Sequence, residues 1–250
     1  MEKVKEFFDD FTFHARVMPI IVLLMPIIIV GVLNGIVQDN WLEGIMLSSI
    51  SLAFLTITSK VARNFGKEYE SKMYEQLGGM PTTIVQRFSD NTFDEITKQR
   101  YHKKLNHFEG LTLPLNKSTE TDDDDQQYAS AANLLRNYAN SNRDKEPRVY
   151  QELKEYNFWR NLYGAKKFSL LIYLIIAIRE VIIKGTLSLT EMFLHPFPNY
   201  TTLVIMVLCI AFIILFVNQK TVKQKGFDYA KALIEVCERI PVGNDKSDNE

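Results

Sequence analysis

Apolar residues along this chain gather in four stretches almost free of charge, roughly residues 17–37, 41–58, 168–183 and 202–218, and the remainder is unusually polar. An α-helix rises 1.5 Å per residue, so about 20 apolar residues are needed to cross about 30 Å of hydrocarbon. The first and fourth stretches nearly meet that length alone. The second carries Glu43 near one end, and the third is interrupted by Arg179 and Glu180. Context supports the third as a span. Without it the number of crossings would be odd, and the lysine-rich flanks on its two sides would face opposite sides of the membrane.

The pattern therefore predicts an all-α membrane protein in which two transmembrane helical hairpins flank a mostly helical cytoplasmic domain. The segments are a cytoplasmic N-terminal segment (1–16), hairpin 1 (17–59), the helical domain with an acidic loop near 116–127 (60–166), hairpin 2 (167–219), and a cytoplasmic amphipathic helix and tail (220–250). The first span is longer than a signal-peptide core and no small-residue cleavage pattern follows it, so it is expected to stay in the mature chain. Basic residues resist translocation, and their distribution is one-sided. Lys3, Lys5 and Arg16 precede the first span, Lys60, Arg63, Lys67 and Lys72 follow the second, Arg160, Lys166 and Lys167 precede the third, and Lys220, Lys223 and Lys225 follow the fourth. The turn Gln38-Asp39-Asn40 has no basic residue, and the other external loop has only Lys184 at its edge. Both termini and the middle domain are expected in the cytoplasm.

Within the middle domain no stretch alternates with period two. Val61, Phe65, Tyr69, Met73 and Leu77 repeat every four residues, which predicts that the second span continues as one helix of about 35 residues until Gly78-Gly79 stops it. Thr92 and Glu95 form a capping-box pattern opening a helix through about Phe108, and a loop comes next around Pro114. The acidic run Asp122 to Asp125 reads as a solvated, mobile loop that N-caps a helix over about residues 126–138; it lacks the spacing and the turn glycine of a calcium loop. Pro147 suits the first position of the next helix. Phe227, Ala230, Leu233, Ile234, Cys237 and Ile240 form an amphipathic stripe expected to cover the middle domain or another subunit.

A formal charge of −1 gives no bulk attraction to nucleic acid or anionic lipid, so any binding patch must be local. Cys209 and Cys237 differ too much in setting to suggest a pair, and both are expected to be reduced. No arrangement for covalent catalysis, no phosphate-binding loop and no dinucleotide fingerprint is visible. His14, His102, His107 and His195 fall in separate places, without the spacing of a zinc site. The expectation is a protein that is not an enzyme, with no metal, no cofactor and no catalytic residues. Charged groups inside spans are costly and face protein or water, which makes Arg179 and Glu180 candidates for a pore or gate, although a short span would place both at the outer interface. Pro26, one heptad after Pro19, and Asn34, between Gly31 and Gly35, are further pore or gate candidates, while ordinary helix packing explains them about as well.

The turn Gly78-Gly79-Met80-Pro81-Thr82-Thr83, with Arg87 close behind, sets hydroxyls beside backbone amides. Thr82, Thr83 and Arg87 could hold a phosphate, aided by Arg136, Arg143, Arg160 and its neighbour Asn161 if the fold gathers them. A Gly-Gly-x-Pro turn is equally a helix stop, with the threonines capping the next segment.

These residues also carry a resemblance. The turn with Arg87, then Arg100-Tyr101-His102, Tyr128-Ala129-Ser130-Ala131 with Leu135-Arg136, Arg143-Asp144, and Tyr156 with Arg160-Asn161-Leu162-Tyr163-Gly164, together resemble a family of bacterial four-span inner-membrane proteins whose cytoplasmic domain contains GGxPTT. The likeness covers about residues 78–167, with the hairpins in the same order. The architecture is similar to membrane effectors of bacterial anti-phage defence, including the channel-forming HalB type of Hailong systems. The resemblance implies a multi-pass protein of the inner membrane whose partners are the lipid bilayer, further copies of itself as a homo-oligomer, and a nucleotide or oligonucleotide made by a partner enzyme. That cytoplasmic signal would gate an ion channel or pore. The alternative is a non-conducting membrane anchor or scaffold that recruits a cytoplasmic partner.

Overall fold

The computed structural model describes residues 9–33, 41–184 and 201–241, and every regular element among them is helical. In chain order these are α1 (Asp10–Thr12), α2 (Met18–Leu33), α3 (Trp41–Leu77), α4 (Pro81–Ile84), α5 (Glu95–Leu105), α6 (Asp124–Ser141), α7 (Pro147–Lys184), α8 (Thr201–Phe216) and α9 (Gln219–Ile234). Phe13–Val17 is π-helical, and Lys117–Thr119 and Glu235–Glu238 are 3-10 turns. Asn34, the turn at residues 38–40 and most of the expected outer loop lie outside the described residues. The chain divides into two compact units: unit 1 is Met1–Glu70 with Asn157–Val222, and unit 2 is Ser71–Tyr156 with Lys223–Glu250.

Unit 1 is built around a proline. A helical residue at position 19 would normally donate its N–H to the carbonyl of residue 15, and Pro19 has no such donor. The backbone widens to a π-turn just before it, with the Met18 N–H bonded to the Phe13 carbonyl. The Ala15 carbonyl is satisfied instead by Asn161 of α7, whose Nδ2 donates to it at 2.7 Å in a buried setting. Around this point Ile20, Leu23, Ala62, Leu162, Ala165 and Tyr173 form one core with Met206, Ile213 and Val217. The Tyr173 hydroxyl, fully buried, donates to the Leu23 carbonyl.

Within this unit α3 and α7 touch backbone to backbone. A Cβ at Gly164 would lie 2.5 Å from the Ala62 carbonyl oxygen and press on the Gly66 nitrogen, and one at Gly66 would meet the Arg160 carbonyl oxygen at 2.9 Å. One turn from this contact, Arg160 Nη1 reaches both carboxylate oxygens of Glu70, at 3.0 and 3.2 Å. At the end of α8 the Val217 carbonyl accepts from Lys166 Nζ at 2.6 Å, and Asn218 then caps α9 by accepting from the Thr221 N–H at 3.0 Å. The Val217 carbonyl left bare at the end of α8 is thus met by a lysine, and an N–H left bare at the start of α9 by an amide oxygen.

Among the described residues no single helix is long and apolar enough to cross a membrane; only Met206–Phe216 with Gln219–Glu238 could do so, as a pair bent by 51°. α2 and α8 run 16 residues each, about 24 Å at the helical rise.

Unit 2 closes a separate core. Leu105, Tyr128, Ala131, Ala132 and Leu135 of α5 and α6 are buried, as are Ala230, Leu233, Ile234, Cys237 and Ile240 of the C-terminal stripe. α3 stops where the glycines require. Gly78 adopts φ +71°, and the N–H groups of Gly78 and Gly79 bond to the carbonyls of Glu75 and Tyr74. α5 opens differently from the expected Thr92 box. Asp94 is the N-cap and accepts from both the Thr97 N–H and hydroxyl, because a carboxylate is the stronger acceptor for a helix N-terminus. α5 also ends earlier than Phe108, where the Asn106 side chain exchanges two hydrogen bonds with the Leu113 backbone and folds the adjoining loop back.

Glycine to alanine normally stabilises a helix interior by about 1 kcal/mol. At the α3–α7 contact the sign should reverse, and Gly164→Ala is expected to destabilise by about 1–3 kcal/mol through overpacking. Thermal unfolding of the purified protein in detergent measures this, and an alanine variant as stable as the parent would show that the backbones do not touch.

Candidate functional site

The turn after α3 is held from inside. Thr82 and Thr83 are buried at 5% and 3% exposure, and Gln86 behind them donates to the carbonyls of Thr82 and Tyr128. Arg87 grips Asp125 with two bonds, Nε to Oδ1 at 2.9 Å and Nη2 to Oδ2 at 2.5 Å, and Nη2 also donates to the Gly78 carbonyl. The hydrogen bond to Asp125 holds the guanidinium above its ordinary pKa, against a smaller opposing effect of burial. Lys98, almost fully buried, donates to the carbonyls of Arg87 and Asp90, and its desolvation pulls its pKa down. The positive groups nearest this turn therefore serve the turn.

The acidic run is correspondingly less free than a solvated loop. α6 begins at Asp124, two residues earlier than expected, and Asp124 accepts from Thr121. Glu120 accepts from the Phe88 N–H at 2.9 Å and the Tyr128 hydroxyl at 2.7 Å. Beside them opens a cleft of about 540 Å3 lined by Gly78, Arg87, Ser89, Glu120, Asp122 and Asp125 among others. One guanidinium against three carboxylates leaves it net negative, a poor setting for a phosphate. Among the described residues no group of three His, Cys, Asp or Glu side chains is arranged to hold a metal ion.

His102 sits deeper, 1% exposed, edge-on to Phe88 and beside Tyr128. The Pro114 carbonyl can only accept, so Nδ1 carries the proton that bonds to it at 2.7 Å, and buried Nε2 has no hydrogen-bond partner. Burial lowers the pKa of this imidazole and keeps it neutral. Cys237 is likewise insulated, its thiol pushed up to about 12 by burial.

The remaining predicted ligand residues fall into two groups. Arg160 and Asn161 lie in unit 1, where the first is 6% exposed against Glu70 and the second is spent on the Ala15 carbonyl. Arg136 and Arg143 belong to unit 2 and line one narrow crevice with Asn140, Tyr150 and Tyr229. Residues 136, 140 and 143 recur at helical spacing along α6 and its C-terminal turn, a pattern visible in the sequence; the contributions of Tyr150 and Tyr229 depend on packing across distant segments. Of the pore candidates, Pro26 lies within α2 and Arg179 and Glu180 within α7, with their side chains outside the described residues. No family model, curated protein or solved structure matches this chain.

This geometry generates two expectations. Asn161→Ala should cost about 1–3 kcal/mol by stranding the Ala15 carbonyl, and Pro19→Ala, which restores a backbone donor, should recover much of that loss in the double variant. Strictly additive losses in chemical denaturation would sink the link between the two residues. For His102, the unfolded chain takes up a proton near the ordinary value of 6.5 while the folded chain resists. Stability should therefore be full above that pH and fall below it, by at most about 1.4 kcal/mol per pH unit. His102→Gln should flatten this dependence in thermal scans from pH 7.5 to 5; an unchanged slope would place the acid sensitivity elsewhere.

Proposed function

We propose that the protein is a multi-pass effector of the bacterial inner membrane, with both termini cytoplasmic and unit 1 embedded as two transmembrane hairpins. It assembles as a homo-oligomeric ion channel or pore in anti-phage defence. Unit 2 receives the nucleotide or oligonucleotide signal that gates it.

The observation that carries this reading is where apolar side chains are exposed. Apart from Met80, Ile96 and Leu115, every exposed large apolar side chain among the described residues belongs to unit 1. On α8, Val204, Val207, Leu208, Phe212, Ile214, Leu215 and Phe216 are all exposed, while Met206 and Ile213, with Val217 just past its end, are buried. α7 adds Phe168, Leu171, Leu174, Ile175 and Ile178, and α3 adds Ile57, Val61 and Phe65. This much exposed apolar side chain is costly in water and needs lipid or partner subunits to cover it. Charged residues near its cytoplasmic edge, such as Lys166, Lys167 and Lys220, suit the headgroup level.

A second reading, a non-conducting scaffold, is favoured by one feature. In unit 2 Arg87, Arg100, Arg148 and Arg239 are each already paired with a carboxylate, which suits docking surfaces more than anion capture.

Alkaline extraction of bacterial membranes, followed by membrane-potential recording at matched abundance with an Arg179→Leu/Glu180→Leu variant, separates these readings. The expected result is a chain that resists extraction and depolarises cells, with depolarisation lost in the variant. Resistance to extraction with an unchanged potential, in cells supplied with the signal-producing enzyme, would favour the scaffold. Release by alkali would overturn both.

A further inference from the structure

We infer that the crevice formed by Arg136, Asn140, Arg143, Tyr150 and Tyr229 is a phosphate-binding site, where the cytoplasmic ligand is held. This rests on reading unit 2 as the part that receives an anionic signal, and it narrows that reading to one place. Among the described residues, Arg136 and Arg143 differ from the other arginines of unit 2 in having no carboxylate partner. Arg87, Arg100, Arg148 and Arg239 pair with Asp125, Glu238, Glu235 and Glu146. Arg136 donates only to neutral oxygens, Nε to the Tyr229 hydroxyl at 3.4 Å and Nη1 to Asn133 Oδ1 at 2.5 Å. A guanidinium has five N–H donors, so most of this fork is left for a ligand. Arg143 rests its guanidinium 5.2 Å from the centre of the Tyr150 ring and donates to no side chain among the described residues. Its sequence neighbour Asp144 pairs with neither arginine.

Further groups of unit 2 gather at the same ring. Lys154 Nζ lies 5.0 Å from the centre of the same Tyr150 ring, so two cations are held within about 10 Å of each other, about one Debye length at 0.1 M salt. The crevice also receives Tyr150 and Val149 from the first turn of α7, the end of that long helix whose backbone dipole is positive. Its volume, about 10 Å3, accepts one water-sized group, which is the size of a phosphate oxygen, so the ligand seats one oxygen there and lies across the exposed guanidinium of Arg143. The cleft beside Asp125 has fifty times that volume but the wrong charge. Bidentate Arg–phosphate contacts supply both energy and orientation here.

The test titrates inorganic tripolyphosphate into the full chain in neutral detergent by calorimetry. Parent protein should bind, Arg136→Gln/Arg143→Gln should bind at least tenfold more weakly, and Arg100→Gln/Arg148→Gln, which removes two carboxylate-paired arginines from the same unit, should bind as the parent does. Equal binding by the parent and the 136/143 variant, or loss only in the 100/148 variant, overturns the assignment. If the double variant unfolds, Arg143→Gln alone carries the test, since that side chain is exposed; at least a threefold loss is expected, and none would overturn it. Repeating the titration with phosphatidylglycerol in the micelles identifies the source of the phosphate. Undiminished binding marks a soluble ligand, and competition marks a lipid headgroup. Because binding is read directly, the site can stand or fall independently of whether the chain conducts ions.

Discussion

The backbone contact of α3 and α7 at Gly66 and Gly164 is the constraint on which unit 1 depends. Only glycine allows the two chains to approach so closely, and that approach sets the rotation of α7 about its own axis. With that rotation fixed, the residues one turn earlier can point only where they are found, Arg160 at Glu70 and Asn161 at the Ala15 carbonyl. Each satisfies a group that would otherwise be expensive to bury, a carboxylate in one case and a helix carbonyl left bare by Pro19 in the other. A buried ion pair of this kind is weak evidence for stability, since its desolvation offsets much of its attraction. It is better evidence for register, because slipping α7 by one residue would strand a charge and an amide together.

Unit 2 obeys a different rule. Most of its arginines pair with carboxylates distant in sequence: Arg87 with Asp125 at the turn, Arg239 with buried Glu146, Arg148 with Glu235, and Arg100 with Glu238. Two of these pairs, Arg87 with Asp125 and Arg239 with Glu146, are bidentate, and pairing of that kind leaves little field outside. Against that background two adjacent guanidiniums without carboxylates are an asymmetry in the charge distribution, and their separation from Asp122 and Asp125 is what keeps a negative field from cancelling them.

Much of the fold was legible because it rests on local chemistry. The Gly78-Gly79 stop, Pro147 at the start of α7 and the stripe from Ala230 to Ile240 are each set by backbone freedom or periodicity, and the helices fall where those signals lie. What sequence could not give was pairing at a distance. Thr82, Thr83, Arg87, Arg136, Arg143, Arg160 and Asn161 were equivalent as residue types. Burial closed off the threonines, Asp125 lies 38 residues from Arg87, and the Ala15 carbonyl lies 146 residues from Asn161. The start of α5 was missed for a smaller reason, since Thr92 and Asp94 both offer a side-chain oxygen and the carboxylate bonds more strongly to the helix N-terminus.

A gating role places a further thermodynamic demand on the arginine crevice. A ligand changes a conformational equilibrium only through a difference in its affinity for the two states. The crevice draws on the end of α6, the first turn of α7 and Tyr229 of α9, and both α7 and α9 continue past the boundary of unit 2 into unit 1. On the proposed reading, a phosphate held by Arg136 and Arg143 would act on segments whose chains continue into the apolar unit. Under the proposed gating role, a substitution in unit 1 that biases its arrangement would change phosphate affinity only as far as phosphate binds the two arrangements unequally. The shared helices are a suitable carrier for such coupling because neither contains a proline beyond its first turn or a described break where a displacement could be absorbed.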